Sequence, residues 1–144
     1  MIRKKETKIQ NETITTTLEV IETSPTPNKK YVPHCNNALF VSDITIPDGT
    51  ALSPGEWFIK TWRMRNIGDC YWTKSYALVF GYGEQMGGKE TQIGQIVKPE
   101  ETVDISIGML APKEKGWYAG WWRMKSESGD NFGEFVYVSI QVIN

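Results

Sequence analysis

From about residue 38 onward, apolar and polar residues alternate with a period of two. Thr102–Leu110 shows it most cleanly. Val103, Ile105, Ile107 and Met109 share one parity; Thr102, Asp104 and Ser106 share the other. A strand sends successive side chains to opposite faces, so one face of this segment is apolar. Similar runs recur as LFVSDITI, WFIKTWRMRN, YALVFGYG, QIGQIV, WYAGWWRMKS and FGEFVYVSIQVI. Turn chemistry separates them: PDGT, SPGE, IGD, MGG, KPEE and ESGDN. No window holds a helical period. The pattern predicts an all-β chain, an immunoglobulin-like β-sandwich of about seven antiparallel strands. Another Greek-key sandwich or a jelly roll is the alternative architecture.

Two of these runs carry the same string. Trp62-Arg63-Met64-Arg65 and Trp122-Arg123-Met124-Lys125 both read Trp-Arg-Met-basic, sixty positions apart. In the first run Phe58, Trp62 and Met64 share a parity, opposite to Ile59, Thr61, Arg63 and Arg65. In the second, Tyr118, Gly120, Trp122 and Met124 oppose Trp117, Ala119, Trp121, Arg123 and Lys125. The basic rows belong in water, so the Trp-Met rows point inward. In an immunoglobulin-like sandwich two such strands lie in opposite sheets. Trp62, Trp122 and Trp72 are therefore expected in the core, with acceptors for their indole N–H groups. Lining a pocket is the alternative role. The last strand sends Val136, Val138, Ile140 and Val142 inward. That leaves Trp121, Arg123, Phe135 and Tyr137 on one outer face, an aromatic-basic patch suited to a protein, peptide or glycan partner. Stacking of Arg123 on the aromatics for stability alone, or cover by the N-terminal tail, is the alternative.

Residues 1–36 differ from residues 37–144. They are rich in Thr, Pro, Lys and Glu and poor in aromatics. Too little apolar surface is available there to offset the ordering entropy, so a flexible linker or stalk is expected. Asn11-Glu12-Thr13 matches a glycosylation acceptor. Met1–Gln10 begins basic but lacks an apolar h-region, so it is not a complete signal peptide.

Composition narrows the function. The 144-residue chain has a formal net charge of −1, with Trp 6, Tyr 6 and Phe 5. That balance gives no electrostatic case for nucleic acid or a polybasic membrane anchor. No apolar run is long enough to insert into a membrane as a helix. Cys35 and Cys70 suggest one disulfide and an oxidising compartment, with two free thiols in a cytosolic chain as the alternative. His34 is the single histidine and has no ligand cluster around it, so no metal site is expected. The serines lack a histidine base. Glu100 with Glu101, and Asp43 with Asp48, sit in turn-like or solvent-facing positions. Asp130-Asn131 reads first as a hairpin turn rather than a calcium site. GYGEQMGG lacks the Lys-Ser/Thr of a phosphate loop. The chain is read as no enzyme, with no cofactor.

The blocks TIPDGT, PGEWFIKTWRMRNIGDCYW and APKEKGWYAGWW, in this order, resemble the four-tryptophan (FW) immunoglobulin-like domain. That family is found in autophagy cargo receptors of the neighbour-of-BRCA type and in bacterial cell-surface and secreted proteins. The resemblance runs from about Asn37 to the C-terminus. It implies a non-enzymatic protein- or peptide-binding module. It places three of the name-giving tryptophans at Trp62, Trp72 and Trp122, and the fourth at Tyr137, where this chain departs from the pattern. The cysteines look like those of the bacterial, exported branch, which implies an extracellular or cell-surface setting; a cytoplasmic one is the alternative. A carbohydrate-binding module and a ligand-free spacer are the competing functions.

Overall fold

A computed structural model describes residues 35–144; the expected stalk, Asn11 and His34 lie outside the described residues. The strands are β1 (Ala38–Asp43), β2 (Thr50–Leu52), β3 (Trp57–Asn66), β4 (Ala77–Gly83), β5 (Thr91–Gln92), β6 (Thr102–Leu110), β7 (Gly116–Lys125) and β8 (Asn131–Val142). They form a three-stranded sheet, β1-β3-β6, and a five-stranded sheet, β2-β8-β7-β4-β5. No helix occurs among the described residues. The fold is an immunoglobulin-like sandwich.

Two details depart from the sequence pattern. β2 follows the Pro-Asp-Gly turn and pairs in parallel with β8, Thr50 opposite Ile140 and Leu52 opposite Val142. One pairing is therefore not antiparallel. The QIGQIV run does not make a full strand. Gly94, at φ +72°, breaks it, leaving the two-residue β5 and an isolated bridge between Trp72 and Val97.

The alternation in the sequence builds the core. β3 contributes Phe58, Trp62 and Met64, β6 contributes Val103, Ile105, Ile107 and Met109, and β8 contributes Val136, Val138, Ile140 and Val142. Trp62 and Trp122, on strands of opposite sheets, are fully buried, with ring centroids 6.4 Å apart and planes inclined by 45°. Phe80 meets Trp122 edge-on at 5.4 Å, and Phe132 meets Trp72 at 5.9 Å. Offset and edge-on geometries suit the ring quadrupoles and add to the burial itself. A Cβ at Gly88 would stand 2.8 Å from the Trp122 ring, so only glycine leaves that indole its space.

The indole N–H groups divide. Trp62 Nε1 donates to the Tyr137 carbonyl at 2.9 Å. Trp122 Nε1 and Trp72 Nε1 are buried without an acceptor among the described residues. The expectation of an acceptor for each thus holds for Trp62 only.

Two inward positions of β3, Lys60 and Asn66, are not apolar. Lys60 shares the parity of Trp62 and is fully buried. Its ammonium donates to Asp43 Oδ1 at 2.6 Å and to the carbonyls of Thr45 and Ile46 at 3.0 and 2.8 Å. Three acceptors meet all three of its donors. The apolar stem passes through the core and the charge is met at the wall.

Cys35 and Cys70 form a disulfide, with Cα atoms 4.7 Å apart and a sequence separation of 35. Buried Asn66 holds the same region. Its amide nitrogen donates to the carbonyls of Cys70 and Val97, and its side-chain oxygen accepts from Gly68 N, each at 2.9 Å. The last residue of the β3 string therefore fixes the loop that carries Cys70 and Trp72.

Candidate interaction surface

The outer face of the five-stranded sheet carries a column of aromatic rings. Tyr82 of β4 lies opposite Trp121 of β7, which lies opposite Tyr137 of β8. Tyr82 and Trp121 stack at 4.9 Å with planes 5° apart, and Trp121 and Tyr137 at 5.8 Å and 18°. Phe135 meets Tyr82 edge-on at 5.3 Å. The Arg123 guanidinium lies over the Phe135 ring, 4.6 Å from its centroid. Tyr82 is 53 % exposed; Phe135 and Tyr137 are also exposed, and Trp121 is half-buried between its neighbours. The spacing of the strands sets the spacing of the rings, so the column stacks across the sheet and offers ring edges to solvent.

Two bulges assemble this column. In β4 the register slips between Phe80 and Tyr82, leaving Gly81 as the extra residue. The slip turns Tyr82 outward, although simple alternation from Leu78 and Phe80 would bury it. A Cβ at Gly81 would stand 2.6 Å from the Phe135 ring. In β8 the slip falls between the partners of Trp122 and Met124, namely Val136 and Phe132. Gly133 sits there at φ +79°, tight against Ala38. The bulge carbonyl of Gly133 accepts from Arg123 Nη2 at 2.8 Å. Glu134 Oε1 reaches across to the Phe40 backbone N–H of β1 at 2.8 Å and ties the two sheets together. Arg123 is thus half-buried and engaged, not simply solvated; its Nε is buried without an acceptor among the described residues.

Beside the column, between β1 and β8, opens a cleft of about 110 Å³. Phe40, Asp43, Glu134, Phe135 and Tyr137 line it. Its charged walls are acidic. Asp43 is the carboxylate that meets Lys60. Tyr137 donates its hydroxyl to Asp48 at 2.7 Å, and this bond to a negative partner raises the phenol above its ordinary range. Burial lowers the Lys60 ammonium, opposed by the Asp43 bond and by the charges of Asp43 and Asp48. Lys60, Asp43, Asp48 and Tyr137 thus link the core wall to the outer patch.

The patch of Trp121, Arg123, Phe135 and Tyr137 is contiguous, and sequence reasoning missed Tyr82, Phe40, Glu134 and Lys60 beside it. A glycine next to Tyr82 was the available signal for its bulge. Trp62, Trp72 and Trp122 lie in the core, away from this surface, and Tyr137 faces outward while its carbonyl holds Trp62. Among the described residues no group of three His, Cys, Asp or Glu side chains is placed to hold a metal ion. Among the described residues there is no helix long and apolar enough to cross a membrane.

Residues 45–142 match the family model described as the Ig-like domain from next to BRCA1 gene. The chain is 34% identical over 103 residues to Protein ILRUN of Danio rerio, covering 72% of this chain and 36% of that protein. It is 33% identical over 107 residues to Protein JOKA2 of Solanum tuberosum, covering 72% and 12%. It is 37% identical over 109 residues to the Next to BRCA1 gene 1 protein of Homo sapiens, covering 74% and 11%. The chain therefore spans about a third of the fish relative and about a tenth of the other two. Among solved structures, the CARDB domain of a Pyrococcus furiosus protein superposes with a TM-score of 0.51 at 12% identity, over 76% of this chain and 94% of that one. That likeness is one of fold.

Proposed function

This chain belongs to the family of Ig-like domains from next to BRCA1 gene, and we propose that it is a non-enzymatic module that binds a protein or peptide. The outer face of the five-stranded sheet is the binding surface. One observation carries the reading: Tyr82, Trp121 and Tyr137 stack across three strands, flanked by Phe135 under Arg123. Exposed aromatics with an arginine, held rigid in advance, are the composition of protein-binding hot spots. Rigid rings lose little entropy on binding. The adjoining cleft adds a recess for one side chain.

The same geometry argues against sugar stacking at this surface. A pyranose uses an open ring face, and both faces of Trp121 are covered by Tyr82 and Tyr137. Carbohydrate binding is the second reading, and it is favoured elsewhere. Trp57 is 60% exposed and lies across Gly108, where a Cβ would come within 2.1 Å of the indole. Pull-down on cell-wall polysaccharide against immobilised protein, with wild type, Trp121→Ala and Trp57→Ala, separates the two. Protein capture lost with Trp121→Ala supports the first. Polysaccharide retention lost only with Trp57→Ala overturns it.

The Cys35–Cys70 bridge supports export into an oxidising compartment. A bacterial surface setting draws no support from the fish, potato and human relatives. A cytoplasmic setting is the alternative. Non-reducing mass spectrometry of the chain from its own host distinguishes them: a mass two hydrogens heavier, that of free thiols, contradicts export.

A further inference from the structure

A second recess lies beside the disulfide loop. It is an open groove of about 390 Å³, lined by Tyr71, Thr73, Lys74, Ser75, Ile96 and Glu127, with Gln92 of β5. It shares no residue with the cleft between β1 and β8. Its walls are apolar and open: Tyr71 and Ile96 are each 54% exposed. Its backbone is braced. Trp72 bridges Val97 in both directions, at 2.9 and 3.0 Å, so Tyr71, Thr73 and Ile96 share the outer side of that bridge. Asn66 holds the Cys70 carbonyl just before Tyr71.

One carboxylate is fixed within this groove. Glu127 Oε1 accepts from the hydroxyls of both Thr73 and Ser75. These donors hold the Glu127 carboxyl below its ordinary range, so it stays ionised in neutral solution. Both bonds fall on one oxygen, so the other has no partner among the described residues. Apolar walls that include a phenol ring, with an anchored anion, complement a group that is planar, cationic and carried on an aliphatic stem. Guanidinium meets that description: it stacks on an aromatic face and donates to a carboxylate in one plane. Lys74 adds a positive charge to the lining, which disfavours a polybasic run.

We propose that this groove binds a single arginine side chain of a partner polypeptide, the guanidinium on Glu127 and the stem against Tyr71 and Ile96. The site is separate from the aromatic column and does not depend on it.

The test is titration of the isotope-labelled chain with the acetylated, amidated tripeptide Leu-Arg-Gly, read by the backbone amide shifts. A second peptide carries citrulline, which keeps the shape and removes the charge. Saturable shifts confined to residues 71–75, 96 and 127, weakened about tenfold or more by citrulline, support the proposal. Glu127→Gln keeps an oxygen for the two hydroxyls and should weaken the arginine peptide to a similar extent. Trp121→Ala should leave it unchanged, which keeps this test apart from the binding surface proposed above. Absence of saturable shifts, or equal binding of the citrulline peptide to the wild-type chain, overturns the proposal. The citrulline comparison needs no variant and stands even where Glu127→Gln disturbs the fold.

Discussion

Trp62 and Trp122 stand at the same place in two near-identical strings and meet across the sandwich, their ring centroids 6.4 Å apart. The repeated Trp-Arg-Met string is thus two strands meeting at one core, with the arginines on opposite outer faces. Arg63 pairs with Asp104 at 2.7 Å on one face; Arg123 stacks on Phe135 on the other. Truncating either indole removes contacts that no neighbour can replace. Trp62→Ala should cost about 3–5 kcal/mol in urea unfolding, or leave the chain unfolded. Trp62 also loses its bond to the Tyr137 carbonyl, whereas Trp122 has no such bond to lose. A folded Trp62→Ala chain of unchanged stability would contradict its place in the core.

Lys60 and Asp43 form a pair whose halves should behave unequally. Asp43→Ala leaves a buried ammonium with only two carbonyl acceptors and should cost roughly 3 kcal/mol. Lys60→Met removes the charge and keeps the stem volume, and should cost less. The sign with pH follows from burial, which lowers the folded-state pKa of Lys60 below its unfolded value. Between those two values the unfolded chain binds more protons, so the Lys60 contribution to stability rises with pH. Without Asp43 the folded pKa drops further and the window widens. Asp43→Ala should therefore regain stability relative to wild type between neutral pH and about pH 10. A difference between the two chains that stays constant with pH would contradict this.

The disulfide should act mainly on the unfolded chain. Replacing Cys35 and Cys70 by serine, or reducing the bridge, should lower stability by about 3–4 kcal/mol. Pairing of Ala38 with Asn66 and the three bonds of Asn66 remain, so the fold should persist. Calorimetry with and without reductant checks it; identical unfolding temperatures would show that the bridge constrains nothing.

Gly81 decides how the column is built. Gly81→Val should push Phe135 off its position, since even a Cβ falls 2.6 Å from that ring. Its effect should appear in the near-ultraviolet circular dichroism and in any binding at the patch. An unchanged spectrum would mean that the bulge absorbs the side chain.

The sequence made some of this legible. In β6, strict alternation of Val103, Ile105, Ile107 and Met109 with polar residues left one orientation open. Trp62 and Trp122 could be placed because arginines flank them at the opposite parity. Tyr82 could not, because the Gly81 bulge reverses parity midway along β4. Lys60 was hidden for a different reason. A charge at an inward position reads as an error until Asp43 and two carbonyls, from a separate segment, are seen to meet it. β2 is three residues long and pairs in parallel with the far end of the chain, which no local pattern encodes. The patch was half legible: Trp121, Arg123, Phe135 and Tyr137 follow from alternation in β7 and β8. The rest depends on two bulges and on the edge of β1.

The most direct measurement is selection of wild-type chain against a displayed peptide library, with the enriched peptides then titrated against wild type and Trp121→Ala. Trp121 is the middle ring of the column, and its loss parts Tyr82 from Tyr137. The expected result is enrichment of a peptide class whose affinity falls about tenfold or more in Trp121→Ala, while the variant keeps its cooperative unfolding. Peptides that bind the folded variant as tightly as the wild type would contradict the aromatic column as the binding surface.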